Sequence, residues 1–183
     1  IVKTYGADTL RVYEMFMGPF DQAIAWSTSS IMGSRRFLER AGKLSEKVKN
    51  GAVMPKAAEI ALNKTIVKVT EDIASLRHNT AISALMILSN EMDSCAEISD
   101  TAYASLLKML APFAPHMTEE LWRNLGNKTS IHLSAWPNEE IKKTVDDHVK
   151  IVVQVNGKMR ASFEAPREAT KDELQALALK LDE

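Results

Sequence analysis

Cysteine is almost missing from this chain: Cys95 is the single one among 183 residues. That excludes an internal disulfide framework and a Cys-rich zinc site, and it fits a reducing compartment. No stretch approaches the ~20 consecutive apolar residues that cross a bilayer, and the basic, apolar and small-residue blocks of a signal peptide are missing. The expectation is a cytoplasmic protein without a membrane role. Neither charge sign dominates, since 23 Lys and Arg stand against 24 Asp and Glu, for a net charge of -1. Any nucleic-acid surface must therefore be a local patch.

The usual marks of chemistry are also scarce. There is no Gly-rich phosphate loop and no nucleophile elbow. The histidines, His78, His116, His132 and His148, fall far apart. His116 with Glu119 and Glu120 lacks a second ligand at helical spacing, and its place after Pro115 suits a cap or packing residue. No catalytic residue, metal site or resident cofactor is expected.

What is present is a core-forming composition, 45% hydrophobic and 26% charged, organised at helical period. Asp8 to Met17, with Leu10, Val12, Tyr13, Phe16 and Met17 apolar, predicts a short buried helix ended by Gly18-Pro19. A loop with Trp26 follows, and Ser27 to Ser30 offer N-cap oxygens. A long helix is predicted over Ile31 to Lys49, with Asn50-Gly51 as its stop. After Met54-Pro55, the stripe Ala58, Leu62, Ile66, Val69, Ile73 and Leu76 predicts a second. Asn79 is read as the N-cap of a third, through Ala81, Leu85, Leu88 and Met92, with His78 capping the helix before it. An acidic turn at Glu97 to Asp100 leads to a fourth, through Tyr103, Leu106, Leu107 and Leu110. Pro112 and Pro115 break it, and a fifth over His116 to Leu125 is closed by Gly126. Met86, Met92 and Met109 read as adaptable core filling. The fold class expected is mainly α, a helical bundle.

Beyond Asn127 the pattern changes. Residues 138–148 read as a linker that permits relative motion. Asn156-Gly157 between two β-rich runs predicts a tight hairpin, because both turn positions need positive φ. Val153 and Val155 share one face, and Met159, Ala161 and Phe163 one face of the returning strand. A helix starts near Lys171. The second unit is thus α+β and unfinished. The opening at Ile1 and the end at Glu183, inside an amphipathic helix, read as the limits of an excised piece.

One local nucleic-acid signal stands out. Arg36, Arg40, Lys43 and Lys47 are spaced four, three and four, forming a stripe one residue, about 100°, from the apolar face of the first long helix. Such a row can follow a phosphate backbone with counterion release. It also fits a solvated flank, with Glu39 and Lys43 as a helix-spaced ion pair.

Several segments resemble one family. Tyr5-Gly6-Ala7-Asp8-Thr9-Leu10-Arg11 resembles the stretch after the Lys-Met-Ser-Lys-Ser loop of class I aminoacyl-tRNA synthetases, and Trp26-Ser27 followed by Arg36-Phe37-Leu38-Glu39-Arg40 continues it. Asn79-Thr80-Ala81-Ile82-Ser83-Ala84-Leu85-Met86 resembles the middle helix of their anticodon-binding domain. Leu110-Ala111-Pro112-Phe113-Ala114-Pro115-His116 through Glu119-Glu120-Leu121-Trp122, closed by Ile131-His132-Leu133 and Ala135-Trp136-Pro137, matches the Leu, Ile, Val and Met subgroup. Val153-Gln154-Val155-Asn156-Gly157-Lys158-Met159-Arg160 resembles the first hairpin of the leucyl enzymes' C-terminal domain. The letters of Lys158 to Ser162 imitate the catalytic loop but fall in a hairpin strand.

The resemblance implies a division into 1–30, the end of the segment from the catalytic core; 31–137, an anticodon-binding helical bundle; 138–148, a linker; and 149–183, a truncated C-terminal α+β domain. It implies a monomeric parent enzyme that joins leucine to its tRNA using ATP and magnesium, and a piece that is itself inactive. The implied partners are leucine tRNA and the catalytic domain of the same chain. Candidate RNA contacts are Arg36, Arg40, Lys43, Lys47, Lys158 and Arg160. An exposed apolar surface near Tyr5, Leu10 and Trp26 is expected where the catalytic domain docks. The alternative is a stand-alone synthetase-like module that binds RNA or a protein.

Overall fold

The computed structural model describes all residues except Phe20, Ile24, 139–147, Asn156, Gly157, Arg167, Glu168 and 179–183; the side chains of 148–150, 154, 155, 158, 159 and 164 are likewise left undescribed. It divides into two compact units, Ile1–Thr144 and Val145–Glu183. The first is helical: α1 Val2–Tyr5, α2 Ala7–Phe16, α3 Ile31–Lys43, α4 Lys56–Ala74, α5 His78–Ser94, α6 Asp100–Leu110 and α7 Pro115–Asn124. The second holds strands β3 His148–Val155 and β4 Lys158–Pro166 and helix α8 Lys171–Ala178. The mainly α fold with a small α+β unit is the one the periodicity predicts.

The centre of the first unit is α5 and α6. Ala81, Ile82, Leu85, Leu88 and Met92 on one, and Tyr103, Leu106, Leu107, Met109 and Leu110 on the other, are wholly withdrawn from solvent. Each large aliphatic side chain so buried contributes roughly 1.5–3 kcal/mol. Val12, Phe37, Leu38, Ala41, Ile66, Val69 and Trp122 bring α2, α3, α4 and α7 onto the same cluster. The Tyr103 hydroxyl donates to the Ala41 carbonyl at 3.0 Å inside this core. Burial pushes its pKa up to about 12.

Several local expectations are corrected. The helix from Ile31 does not run to Lys49. It ends at Lys43, tightens into a 3₁₀ turn over Leu44–Lys47, and passes into β1, Val48–Lys49. There Val48 and Lys49 pair in parallel with Ile98 and Ser99 of β2, Ile98–Ser99. Ile98 is fully buried, so this pairing draws Val48 out of the helical path. Nor does Ser30, at the α3 N-cap, bond a helix N–H. Its hydroxyl donates instead to the Ser27 hydroxyl at 2.9 Å.

At the α4–α5 turn, Leu76 is not part of the apolar stripe. It takes φ +57 and is 51% exposed, ending the turn in the left-handed region. Arg77, not Asn79, occupies the N-cap of α5, and His78 opens that helix. His78 meets Phe113 edge-on, with ring centroids 6.0 Å apart, rather than capping α4. What fixes the turn is Asp72, whose carboxylate is fully buried. It accepts from Lys68, from Arg77 Nε at 2.9 Å and from Thr80 Oγ1 at 2.7 Å. Burial alone would raise its pKa; the bonds from Lys68, Thr80 and Arg77 outweigh that and hold it below the usual carboxylate value.

In the second unit β3 and β4 pair antiparallel, His148 opposite Pro166 and Val155 opposite Lys158. Between Val153 opposite Ala161 and Gln154 opposite Met159 the register shifts. Arg160 is the extra residue, a bulge. Of the face expected to hold Met159, Ala161 and Phe163, the Met159 side chain lies outside the described ones, and Ala161 and Phe163 are both half-buried. Ile151, Val153 and Phe163 are half-buried while Val152 and Ser162 are exposed, in keeping with the rest of the alternation. The turn assigned to Asn156-Gly157 and most of the linker assigned to 138–148 lie outside the described residues.

Candidate nucleic-acid interface

The inward face of α3 is set by Ile31, Ser34, Phe37, Leu38 and Ala41, all buried. Their spacing of three and four turns this row to the core. The cations at 36, 40, 43 and 47, one residue out of phase, therefore follow its flank beside α5.

The four do not share one environment. Arg36 is exposed, and its Nε donates only to the Met32 carbonyl of its own helix, at 3.3 Å. Lys43 is exposed too and makes no hydrogen bond or ion pair among the described residues. Arg40 donates to Asn90 Oδ1 on α5. Lys47 donates to both the carboxylate of Asp93, at 2.8 Å, and the Asp93 carbonyl. Asp93 is held below the usual carboxylate range, chiefly by the Lys47 bond and against some desolvation; Arg40 and Lys43 add their longer-range field. Just beyond, Lys49 bonds Glu97. The expected Glu39–Lys43 pair does not form: Glu39 accepts from Arg35 Nε at 2.8 Å instead.

Of the other candidate RNA contacts, Arg160 is exposed at the β4 bulge, and the side chain of Lys158 lies outside the described ones. The two belong to the second unit and the four α3 residues to the first.

The candidate docking residues are near one another in sequence but differ in setting. Trp26 is 44% exposed, and Tyr5 and Leu10 are half-buried. The Trp26 ring meets Tyr13 edge-on at 4.8 Å. The Tyr13 hydroxyl accepts from the Ser27 N–H at 2.8 Å, so Tyr13 anchors the loop that carries Trp26. A cleft of about 350 Å³ opens here, lined by Tyr13, Met17, Pro19, Trp26 and His78 among others.

Sequence reasoning passed over the residues that assemble this unit. Asp8, nine-tenths buried, receives the Met117 N–H at 2.7 Å and His116 Nδ1 at 2.7 Å, so it caps the N-terminus of α7. Arg11, one turn on, donates to the Pro112 and Phe113 carbonyls at 3.0 and 3.3 Å. Glu119 accepts from Ser130 Oγ at 2.8 Å and Ile131 N at 3.0 Å, bonds that with the Arg123 pair lower its pKa. Trp122 Nε1 reaches the Thr129 carbonyl at 2.9 Å, and Trp136 Nε1 reaches Thr70 Oγ1 at 2.9 Å. All five stood in segments already singled out by their letters, but the letters do not show which groups they pair with.

With this geometry in view, the family comparison is direct. The anticodon-binding domain of tRNA ligase matches residues 56–175, and the chain belongs to that family. Among solved structures it is similar to the ternary complex of Agrobacterium radiobacter K84 agnB2 LeuRS with tRNA and LeuAMS. The identity is 26% and the TM-score 0.80, over 98% of this chain and 26% of that one. The chain thus spans about a quarter of the length of that protein.

Proposed function

We propose that this chain is the tRNA-gripping part of a leucyl-tRNA synthetase. The observation that carries the reading is the likeness, over 98% of the chain, to a LeuRS solved with tRNA. In this reading the first unit lies along the tRNA and offers α3, while the hairpin unit provides a second point of contact through Lys158 and Arg160. Contacts run to backbone and shape more than to bases, as RNA helices favour. The divisions 1–30, 31–137, 138–148 and 149–183 then correspond to the approach from the catalytic core, the bundle, a linker and the start of the C-terminal domain. Tyr5, Leu10 and Trp26 face the catalytic domain of the same protein.

The parent enzyme is a cytoplasmic, monomeric leucine–tRNA ligase that spends ATP, with magnesium, to form the leucyl adenylate and pass leucine to the tRNA. This chain supplies binding and not the bond-making groups. Among the described residues no helix is long and apolar enough to cross a membrane.

Equilibrium binding to leucine tRNA and to an unrelated tRNA, at low and physiological salt, tests the reading. The expected result is preference for leucine tRNA at both salts, with no leucylation by the chain alone. Equal, weak binding of both RNAs that disappears at physiological salt overturns it.

A further inference from the structure

Resting on that reading, we propose that the cationic row on α3 is two devices: Arg36 and Lys43 contact RNA phosphate, while Arg40 and Lys47 are struts that hold α3 to α5. The row looks uniform in sequence, but its members alternate in what they already bind.

Arg40 spans to Asn90, and Lys47 closes on the side chain and carbonyl of Asp93 near the end of α5. An ammonium there also meets the negative end of the helix dipole. Lys47, paired with the Asp93 carboxylate, gains little from a phosphate, because one ion pair is exchanged for another. Arg40 must give up its bridge to the neutral Asn90 amide oxygen to reach one. Each therefore adds little to the counterion release that drives RNA association. Arg36 and Lys43 make no side-chain bond to another helix among the described residues, whereas Arg40 and Lys47 are both committed to α5. Seven residues apart, Arg36 and Lys43 stand two helical turns, ~10.5 Å, from each other on one face, so both address the same stretch of backbone.

The surroundings favour a polyanion. Arg40, Lys43 and Lys47 all act on Asp93. Glu39, the acid nearest the free pair on α3, is turned away to Arg35. On α5, one turn before Asn90, Ile87 is 62% exposed, giving an apolar surface for riboses between the charges.

The test is the salt dependence of leucine-tRNA binding by the chain and by Arg36→Gln, Arg40→Gln, Lys43→Gln and Lys47→Gln, with thermal unfolding of each. The slope of log K against log salt should flatten by about 0.9 in Arg36→Gln and in Lys43→Gln, with their unfolding midpoints unmoved. Arg40→Gln and Lys47→Gln should lower the midpoint and leave the slope unchanged, and Lys47→Arg should restore the midpoint. Equal flattening in all four, or none in Arg36→Gln and Lys43→Gln while leucine tRNA is still preferred, overturns this division and spares the tRNA reading. The predicted slopes with no preference for leucine tRNA would do the reverse. Absence of RNA binding, or salt-insensitive association of a second copy on this face, overturns both.

Discussion

The carboxylate of Asp8 receives the backbone N–H of Met117 at 2.7 Å, from 109 residues away in the chain. It does for α7 what a local Ser or Asp N-cap does for other helices. Ala114, at the N-cap position, has no side chain able to do so. Asp8→Ala should cost about 1–2 kcal/mol by leaving the first-turn N–H of a part-buried helix end unpaired. A fall in the urea midpoint at unchanged m-value is the expected readout. A variant as stable as the parent would mean that solvent caps α7 equally well.

Asp72 ties stability to acid. Its folded pKa lies below the free value of 3.8, so its network stabilises the fold above that pH. The contribution is lost as pH falls through the lower folded value. Asp72→Asn should cost about 2–3 kcal/mol at neutral pH. The difference from the parent should narrow below pH 3.8, when melting curves are compared from pH 6 downward. A constant difference across that range would remove Asp72 from the account.

Tyr103 does the same at the alkaline end, with opposite sign. Its folded pKa of about 12 exceeds the free value of 10.0. Its contribution is therefore complete below pH 10.0 and lost as pH rises toward 12. Tyr103→Phe should cost about 1 kcal/mol at neutral pH, leaving the Ala41 carbonyl without its donor. It should also show a shallower alkaline decline. Urea midpoints at neutral and alkaline pH give both numbers.

Leu76 offers a gain. A leucine at φ +57 is strained, and with half its surface exposed it returns little by packing. Leu76→Gly should stabilise the chain by about 0.5–1 kcal/mol, the relief exceeding glycine's entropy cost. A lower melting temperature would show that the exposed leucine packs better than its position suggests.

How much of this was readable in the sequence depended on range. The helices from Lys56 and His78 and the run from Tyr103 to Leu110 were legible because their apolar stripes repeat over several turns. The end of α3 was not, because it depends on Val48 meeting Ile98, fifty positions on. Asn79 had the right residue type for an N-cap, but the Asp72 bonds to Arg77 and Thr80 moved the helix start upstream. The same limit applies to the candidate surface. Arg36, Arg40, Lys43 and Lys47 were visible as a row, yet Asn90 and Asp93, which separate them in pairs, lie some 46–50 residues away.

The pairing of Asp8 and Arg11 with the 112–117 turn has a kinetic meaning as well. The α4–α5 hairpin closes a short loop, whereas this closure spans more than a hundred positions. Distant closures are entropically slower to form. Hydrogen exchange should therefore find α2 among the last segments protected during folding and among the first to open in the native protein. Once it has closed, a pull or a ligand at the front of the chain reaches the start of α7 directly through the Asp8 side chain, besides the packing of α2 on the middle helices.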